Sequence, residues 1–292
     1  MRLAILGCGY VGGELCRQLV TSGHEVVGVD RCPKALSRTE AAGATAVAGD
    51  VTDPDTFASV PDVDAILFTA STAGGDAAAA RATFVAGLET VIETFGDRSN
   101  PPARLVYTSS TGVYGDHNGE WVDESTPIAP QSAKTEVLAT AETVVADTAA
   151  MAGVVARIAG IYGPGRWGLE RYLDRPVTAG WKNHAHRTDV VGALSMLAVS
   201  GVADDEVVLV VDDEPVHRWT FADWLADRFG REPTPRVTVE ERLAAGEYSD
   251  RTRRRLTTSK RCSNHTLRSL GYEFRYPTYR EGFRPAIEAA TG

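Results

Sequence analysis

The opening stretch constrains this chain more than any other. Arg2-Leu3-Ala4-Ile5-Leu6-Gly7-Cys8-Gly9-Tyr10-Val11-Gly12-Gly13 reads as a short apolar strand, a glycine turn and a helix start that continues through Leu15 and Leu19. Glycines spaced Gly-x-Gly-x-x-Gly carry meaning only in that setting. Gly7 then permits a tight turn, Gly9 lets backbone approach a pyrophosphate, and Gly12 lets the helix pack closely on the strand. The helix N-terminus adds unpaired amides and the positive end of its dipole, both suited to phosphate.

The rest of the chain is consistent with an α/β fold. Short runs rich in Val and Ile recur at Leu3–Leu6, Glu25–Val29, Thr45–Ala48, Ala65–Thr69, Arg104–Thr108 and Val154–Ile158. Continuous apolar runs of this length suit parallel strands covered on both faces. Pro33 opens one intervening helix and Gly43 stops it, while Asp53 is an N-cap before a first-turn Pro54. Ala77–Phe95 predicts one long, alanine-rich helix. Strand and helix alternating in this way imply right-handed crossovers and a Rossmann-type doubly wound parallel sheet.

Beyond Gly163 the pattern loosens. A helix is expected at Asp189–Val199, a strand at Glu206–Val211 and a helix at Phe221–Phe229. A segment dense in proline and charge follows from Arg231 to Arg255, then a final helix near Asn264–Leu270 and an aromatic tail from Tyr272 to Pro277. The expected division is an NAD(P)-binding Rossmann domain over 1–165, with elements returning around 186–211, and a smaller C-terminal substrate domain over 166–292.

Composition excludes several functions. A net charge of −9 disfavours wholesale binding to nucleic acid. No apolar run approaches the roughly 18 residues of a membrane span. The first residues enter a strand without a hydrophobic leader, so a cytoplasmic protein with no membrane partner is expected. Cys8, Cys16, Cys32 and Cys262 show no Cys-x-x-Cys spacing and read as buried, reduced thiols, with neither disulfide nor metal site expected. The basic run Arg251-Thr252-Arg253-Arg254-Arg255 is either a solvated face or a contact for a substrate diphosphate.

An acid should close the second strand of a dinucleotide-binding unit, and Asp30 stands there. Its carboxylate suits the adenosine ribose and repels a 2′-phosphate, which favours NAD; the adjacent Arg31 keeps NADP possible. Other polar positions fall where strands are expected to end: Asp50 and Val51, the trio Thr69, Ala70 and Ser71, then Ser109-Ser110-Thr111 and Ala159-Gly160. In an open parallel sheet those ends line one crevice.

Together these segments resemble the extended and atypical short-chain dehydrogenase/reductase superfamily, in its NAD-dependent epimerase/dehydratase branch. Gly49-Asp50-Val51 is similar to that family's adenine-contacting segment, and Val106–Gly115 to its active-site strand. Arg157–Gly165 resembles its loop into the substrate domain, and His186-Arg187-Thr188-Asp189-Val190 its helix start. Asp212–Pro215 and Lys260–Asn264 are also similar to the family. The resemblance implies an NAD(P)-dependent oxidoreductase or epimerase acting on a hydroxylated, sugar-nucleotide-like small molecule, and a possible homodimer.

Two departures stand out. Extended members carry Gly-x-x-Gly-x-x-Gly, and family enzymes move the substrate proton with a Tyr and a Lys four residues apart. Aligned on Glu142, this chain has Lys134 at the tyrosine position and Leu138 at the lysine position. Aligned instead on Lys134 as the lysine, it has Pro130 as the tyrosine. Ser110, four residues before Tyr114, matches the hydroxyl that fixes the substrate oxygen. Candidates for moving the proton are Lys134, Tyr114, His184 and His186; the alternative is a dinucleotide-binding sensor or regulatory protein without turnover.

Overall fold

The apolar runs become one seven-stranded parallel sheet. The structure, a computed structural model, describes residues 1–72 and 76–291, with the backbone alone at Asp250 and Arg251. The strands are β1 (Arg2–Leu6), β2 (Glu25–Asp30), β3 (Thr45–Ala48), β4 (Ala65–Phe68) and β5 (Arg104–Ser110), followed by Ala152–Ile158 and Val207–Val210. Across the sheet they lie in the order Val207–Val210, Ala152–Ile158, β5, β4, β1, β2, β3. Every neighbouring pair is parallel. The chain winds outward from β1 to β3, then returns to the other side of β1 as β4. That reversal opens a crevice at the carboxyl ends of β1 and β4, where ligands bind in sheets of this kind.

Helices cover both faces, which is why β4 is buried along its whole length. They include α1 (Gly12–Thr21), α2 (Pro33–Ala41), α3 (Ala77–Arg81), α4 (Gly87–Gly96) and α5 (Ala133–Ala146). The single helix expected over Ala77–Phe95 is divided. Ala82–Ala86 forms a π turn between α3 and α4, and the consecutive Phe84 and Val85 are both buried there. An extra residue per turn rotates the following helix face, which lets two adjacent side chains enter the core. Asp53 does cap the segment after β3 by accepting from the Asp55 amide at 3.0 Å, but that segment is a short 3-10 helix.

The C-terminal third holds the expected helices as Arg187–Ser200, Arg218–Arg228 and His265–Ser269, and three more besides. Val239–Ala244 and Asp250–Thr257 lie in the proline- and charge-dense segment. Tyr279–Thr291 follows the aromatic tail, with Pro285 in its interior and Tyr279, Gly282, Phe283 and Ala286 on its buried face. A second apolar cluster, separate from the sheet core, gathers Tyr162, Leu173, Val216, Phe221, Leu225, Tyr279 and Phe283. Among the described residues, no helix is long and apolar enough to cross a membrane.

One buried polar network ties the sheet to α5. The Arg157 guanidinium on strand Ala152–Ile158 meets the Glu142 carboxylate of α5 through Nε, at 3.1 and 3.2 Å, and through Nη2, at 2.7 Å. Glu142 also accepts from the Ser109 hydroxyl of β5 at 2.5 Å. Arg157 Nη1 donates to the Tyr114 hydroxyl at 2.7 Å, and that hydroxyl donates to the Asp123 carbonyl at 2.7 Å. Both ionic side chains are more than nine-tenths buried, so removing one strands the other without solvent. Glu142→Ala is expected to lower the unfolding free energy by about 3–5 kcal/mol, read as a reduced urea midpoint.

Candidate functional site

The glycine turn is built tightly against β4. Gly7 adopts φ +100, and a Cβ there would fall on the Ala70 backbone, 2.5 Å from its nitrogen. A Cβ on Gly12 would collide with the Gly7 carbonyl and lie 2.6 Å from Thr69 Oγ1. Thr69 itself donates to the Gly7 carbonyl at 2.7 Å, so it braces the turn. Gly9 differs: it is exposed, and a Cβ there meets nothing within 4 Å. Its face is the open wall of the crevice. Val11 precedes α1 and no side chain caps that helix, which leaves first-turn amides for an anion.

The remaining residues expected at the cofactor end surround the same turn. Asp30 accepts from the Cys8 amide at 2.7 Å and from the Cys32 amide at 2.8 Å, one bond to each carboxylate oxygen. Each oxygen keeps a second lone pair for a hydroxyl. Arg31 forms an ion pair with Asp50 at 2.8 Å. Burial pushes the Asp50 carboxyl up, but bonds from Thr52 and Arg31 outweigh it and hold it below its ordinary value. Val51 is buried, Ala70 half-buried and Ser71 exposed. Tyr10 turns away from the turn: its hydroxyl donates to the Pro164 carbonyl at 3.1 Å, and its ring lies 4.6 Å from the Arg187 guanidinium.

At the end of β5, Ser110 Oγ accepts from the Gly112 amide at 3.1 Å and starts the short 3-10 turn Thr111–Tyr114. Gly112 fits between Ser110 and Thr135 of α5; a Cβ there would lie 3.3 Å from Ser110 Oγ and 3.6 Å from Thr135 Cγ2. The half-buried Lys134 is the second residue of α5, and its Nζ donates to Thr72 Oγ1 at 3.0 Å. Leu138, one turn further along α5, faces the core.

Three of the expected proton carriers lie elsewhere. Tyr114 is fully buried, and its hydroxyl is occupied by Arg157 and the Asp123 carbonyl. Burial pushes its phenol up despite the neighbouring guanidinium. The expectation of a titrating Tyr114 is therefore corrected: it is part of the Glu142–Arg157 network. His184 and His186 pack around Tyr162, with ring centroids 5.4 and 5.2 Å away. Burial lowers His184 well below an ordinary histidine and takes His186 down to about 4, helped by Arg187 and Arg275. His186 Nδ1 instead caps the helix Arg187–Ser200 by accepting from the Thr188 amide at 3.2 Å.

A group of cations that the sequence did not bring together meets the start of α5. Ser132 caps that helix, and its hydroxyl accepts from Arg254 Nη1 at 2.8 Å. Lys260 is buried and donates to the Gly115 carbonyl at 2.8 Å. Burial lowers its ammonium pKa against the raising effects of Cys262 and Asp116, and the charges of Arg254 and Arg218 add to the lowering. Arg218 donates to the carbonyls of Ala179, Arg255, Leu256 and Thr258, fixing the helix Asp250–Thr257 that carries Arg254. The basic run was legible in the sequence; its meeting with the Ser132 cap of α5 was not. The side chain of Arg251 lies outside the described residues.

Two glycines of the turn separate shape from stability. Gly12→Ala is expected to destabilise the fold by about 1–3 kcal/mol through overpacking. Gly9→Ala is expected to leave the denaturation midpoint within about 0.5 kcal/mol of the wild type, as for a surface position, while weakening NADH binding. Urea melts paired with NADH fluorescence titrations check both.

Comparison with known proteins bears on the family and the fold. Residues 3–206 match the NAD dependent epimerase/dehydratase family. Protein YeeZ of Escherichia coli (strain K12) is 26% identical over 286 residues, covering 94% of this chain and 96% of YeeZ. A conserved protein of unknown function from Silicibacter pomeroyi DSS superposes with a TM-score of 0.79 at 27% identity, covering 99% of each chain. The UDP-glucose 4-epimerase of Thermus thermophilus, solved as a complex with NAD, shares the fold with a TM-score of 0.78 at 18% identity, covering 99% of this chain and 98% of that one. The chain belongs to the NAD dependent epimerase/dehydratase family.

Proposed function

We propose that the protein is an NAD-dependent oxidoreductase or epimerase of atypical form, acting on a hydroxylated metabolite that carries a phosphate or diphosphate. The observation that carries the cofactor half is the open face of Gly9 beside an uncapped helix start and a fixed Asp30 carboxylate. Gly9, Tyr10, Val11 and Gly12 offer backbone to the pyrophosphate, and Asp30 accepts from the adenosine ribose. Arg31 is already matched by Asp50, which favours NAD over NADP. The NAD complexes of structural neighbours such as the Thermus epimerase support the same choice. When bound, the nicotinamide gives or takes a hydride.

The substrate half follows from charge. The chain is acidic overall, yet Lys134 lies in the first turn of α5, Arg254 donates to the α5 cap Ser132, and Lys260 donates to the Gly115 carbonyl just past the turn that Ser110 starts. A cationic mouth on an acidic protein selects an anionic ligand. Ser110 orients the substrate oxygen, and Lys134, at the family's tyrosine position, hydrogen-bonds that oxygen and handles its proton. Residues 166–292 serve as the substrate-side region. A second reading, binding without turnover, draws on one observation: no phenol occupies the position of Lys134.

Titration with NADH and NADPH tests the cofactor half. Asp30→Ala is expected to weaken NADH about tenfold or more, the scale of one charge-assisted hydrogen bond. NAD reduction across nucleotide sugars and phosphorylated alcohols tests the chemistry. Lys134→Met is expected to lower kcat/KM by about a hundredfold or more, the scale of general acid–base catalysis. Saturable NADH binding with no turnover on any substrate would favour the sensor reading.

A further inference from the structure

Two thiols lie directly beneath the glycine turn. Cys8 sits between Gly7 and Gly9, and its Sγ is 3.9 Å from Cys16 Sγ on the buried face of α1. Both residues are fully enclosed. The space they share exists because β2 carries Gly28: a Cβ there would come within 2.7 Å of Cys8 Sγ and 3.3 Å of Cys16 Sγ. Their other polar neighbours are the Thr39 side chain and the Ile5 and Val29 carbonyls, at 3.7 and 3.8 Å from Cys8 Sγ. Expectation and structure differ at a third thiol, since Cys32 is exposed rather than buried.

Cys8 also connects this pair to the cofactor acid. Its amide donates to Asp30 at 2.7 Å, so a backbone shift at Cys8 disturbs the ribose anchor. A disulfide measures about 2.05 Å, and closing the pair therefore draws the sulfurs together by roughly 1.9 Å from their present 3.9 Å. Cys16 is held within α1 between the buried Leu15 and Leu19. The turn residue Cys8 is the partner that shifts, taking its amide off Asp30 and moving the backbone of Gly9.

We propose that Cys8 and Cys16 form a peroxide-driven disulfide whose closure releases the dinucleotide; this rests on the cofactor reading of the same turn. The step balances: the two thiols lose two protons and two electrons, and hydrogen peroxide takes both and becomes two waters. One thiolate attacks peroxide to give a sulfenic acid and the first water; the second thiol displaces its oxygen as the other. Either thiol can be the attacking group, since the two share one contact in which either sulfur can be the donor. Enclosure makes oxidation depend on opening of the turn, so a bound dinucleotide protects the pair.

The test treats the full chain with hydrogen peroxide, with and without NADH, blocks free thiols under denaturing conditions and maps linked peptides by mass spectrometry. A Cys8–Cys16 linkage is expected, slower with NADH present. NADH affinity should fall about tenfold or more, the scale of one charge-assisted hydrogen bond, and dithiothreitol should restore it. Cys16→Ala and Cys16→Ser should keep their NADH affinity through the same treatment. In a Cys32→Ser background the loss should persist. Failure of the linkage to form, unchanged affinity once it has formed, or a loss that disappears with Cys32 would overturn this inference alone. Reduced protein that binds neither NADH nor NADPH would overturn the cofactor reading with it.

Discussion

The buried ion pair of Glu142 and Arg157 holds the active end of this fold in register. Neither charge can reach water, and isolated they would cost several kcal/mol each. The chain offsets that cost by surrounding them with matched partners: the Ser109 hydroxyl on one carboxylate oxygen and the Tyr114 hydroxyl on the guanidinium. Such a set is satisfied in one arrangement only. It therefore fixes β5, α5 and strand Ala152–Ile158 relative to one another. Side chains alternate along a strand, so a network that grips Ser109 from one side sets where Ser110 stands on the other. The start of α5, with Lys134 upon it, is located by the same anchor.

The second half of the site depends on charge placed against the trend of the whole chain. Net charge is negative, but Arg218, Arg254 and Lys260 gather here, donating to the Ala179 carbonyl, the Ser132 hydroxyl and the Gly115 carbonyl, with the Asp116 carboxylate acting on Arg218 and Lys260. Backbone carbonyls fix a guanidinium in place without cancelling its charge. The histidines add nothing to it. Tyr162, Phe221, Tyr279 and Phe283 close around His184, and Tyr162 and Tyr276 lie against His186, so both rings stay neutral.

What could be read from the sequence was local. The glycine turn, the strand runs and Asp30 each depend on residues within one β-α-β unit, and all three stand where expected. Lys134 was legible as a residue of the helix that follows β5, where it stands as the second residue of α5. Glu142's own role was not, since its partner Arg157 lies on another strand. Tyr114 misled for the same reason: a tyrosine beside Ser110 is close in sequence, but the depth of its ring is set by distant residues. The π turn at Ala82–Ala86 is invisible in an alanine-rich run whose periodicity barely changes across it. The helix Tyr279–Thr291 is hidden because Pro285, an ordinary breaker, sits inside it.

Tyr10 joins two parts of the molecule that ligands would approach separately. It belongs to the glycine turn, yet its hydroxyl ends on Pro164 and its ring rests beside Arg187 at the start of another helix. Closing either side draws on the same contact. If the turn holds a cofactor and the Gly163–Arg166 loop meets a substrate, as proposed above, linkage makes any effect passed through this contact equal in both directions. One phenol is then the place where each binding registers the other.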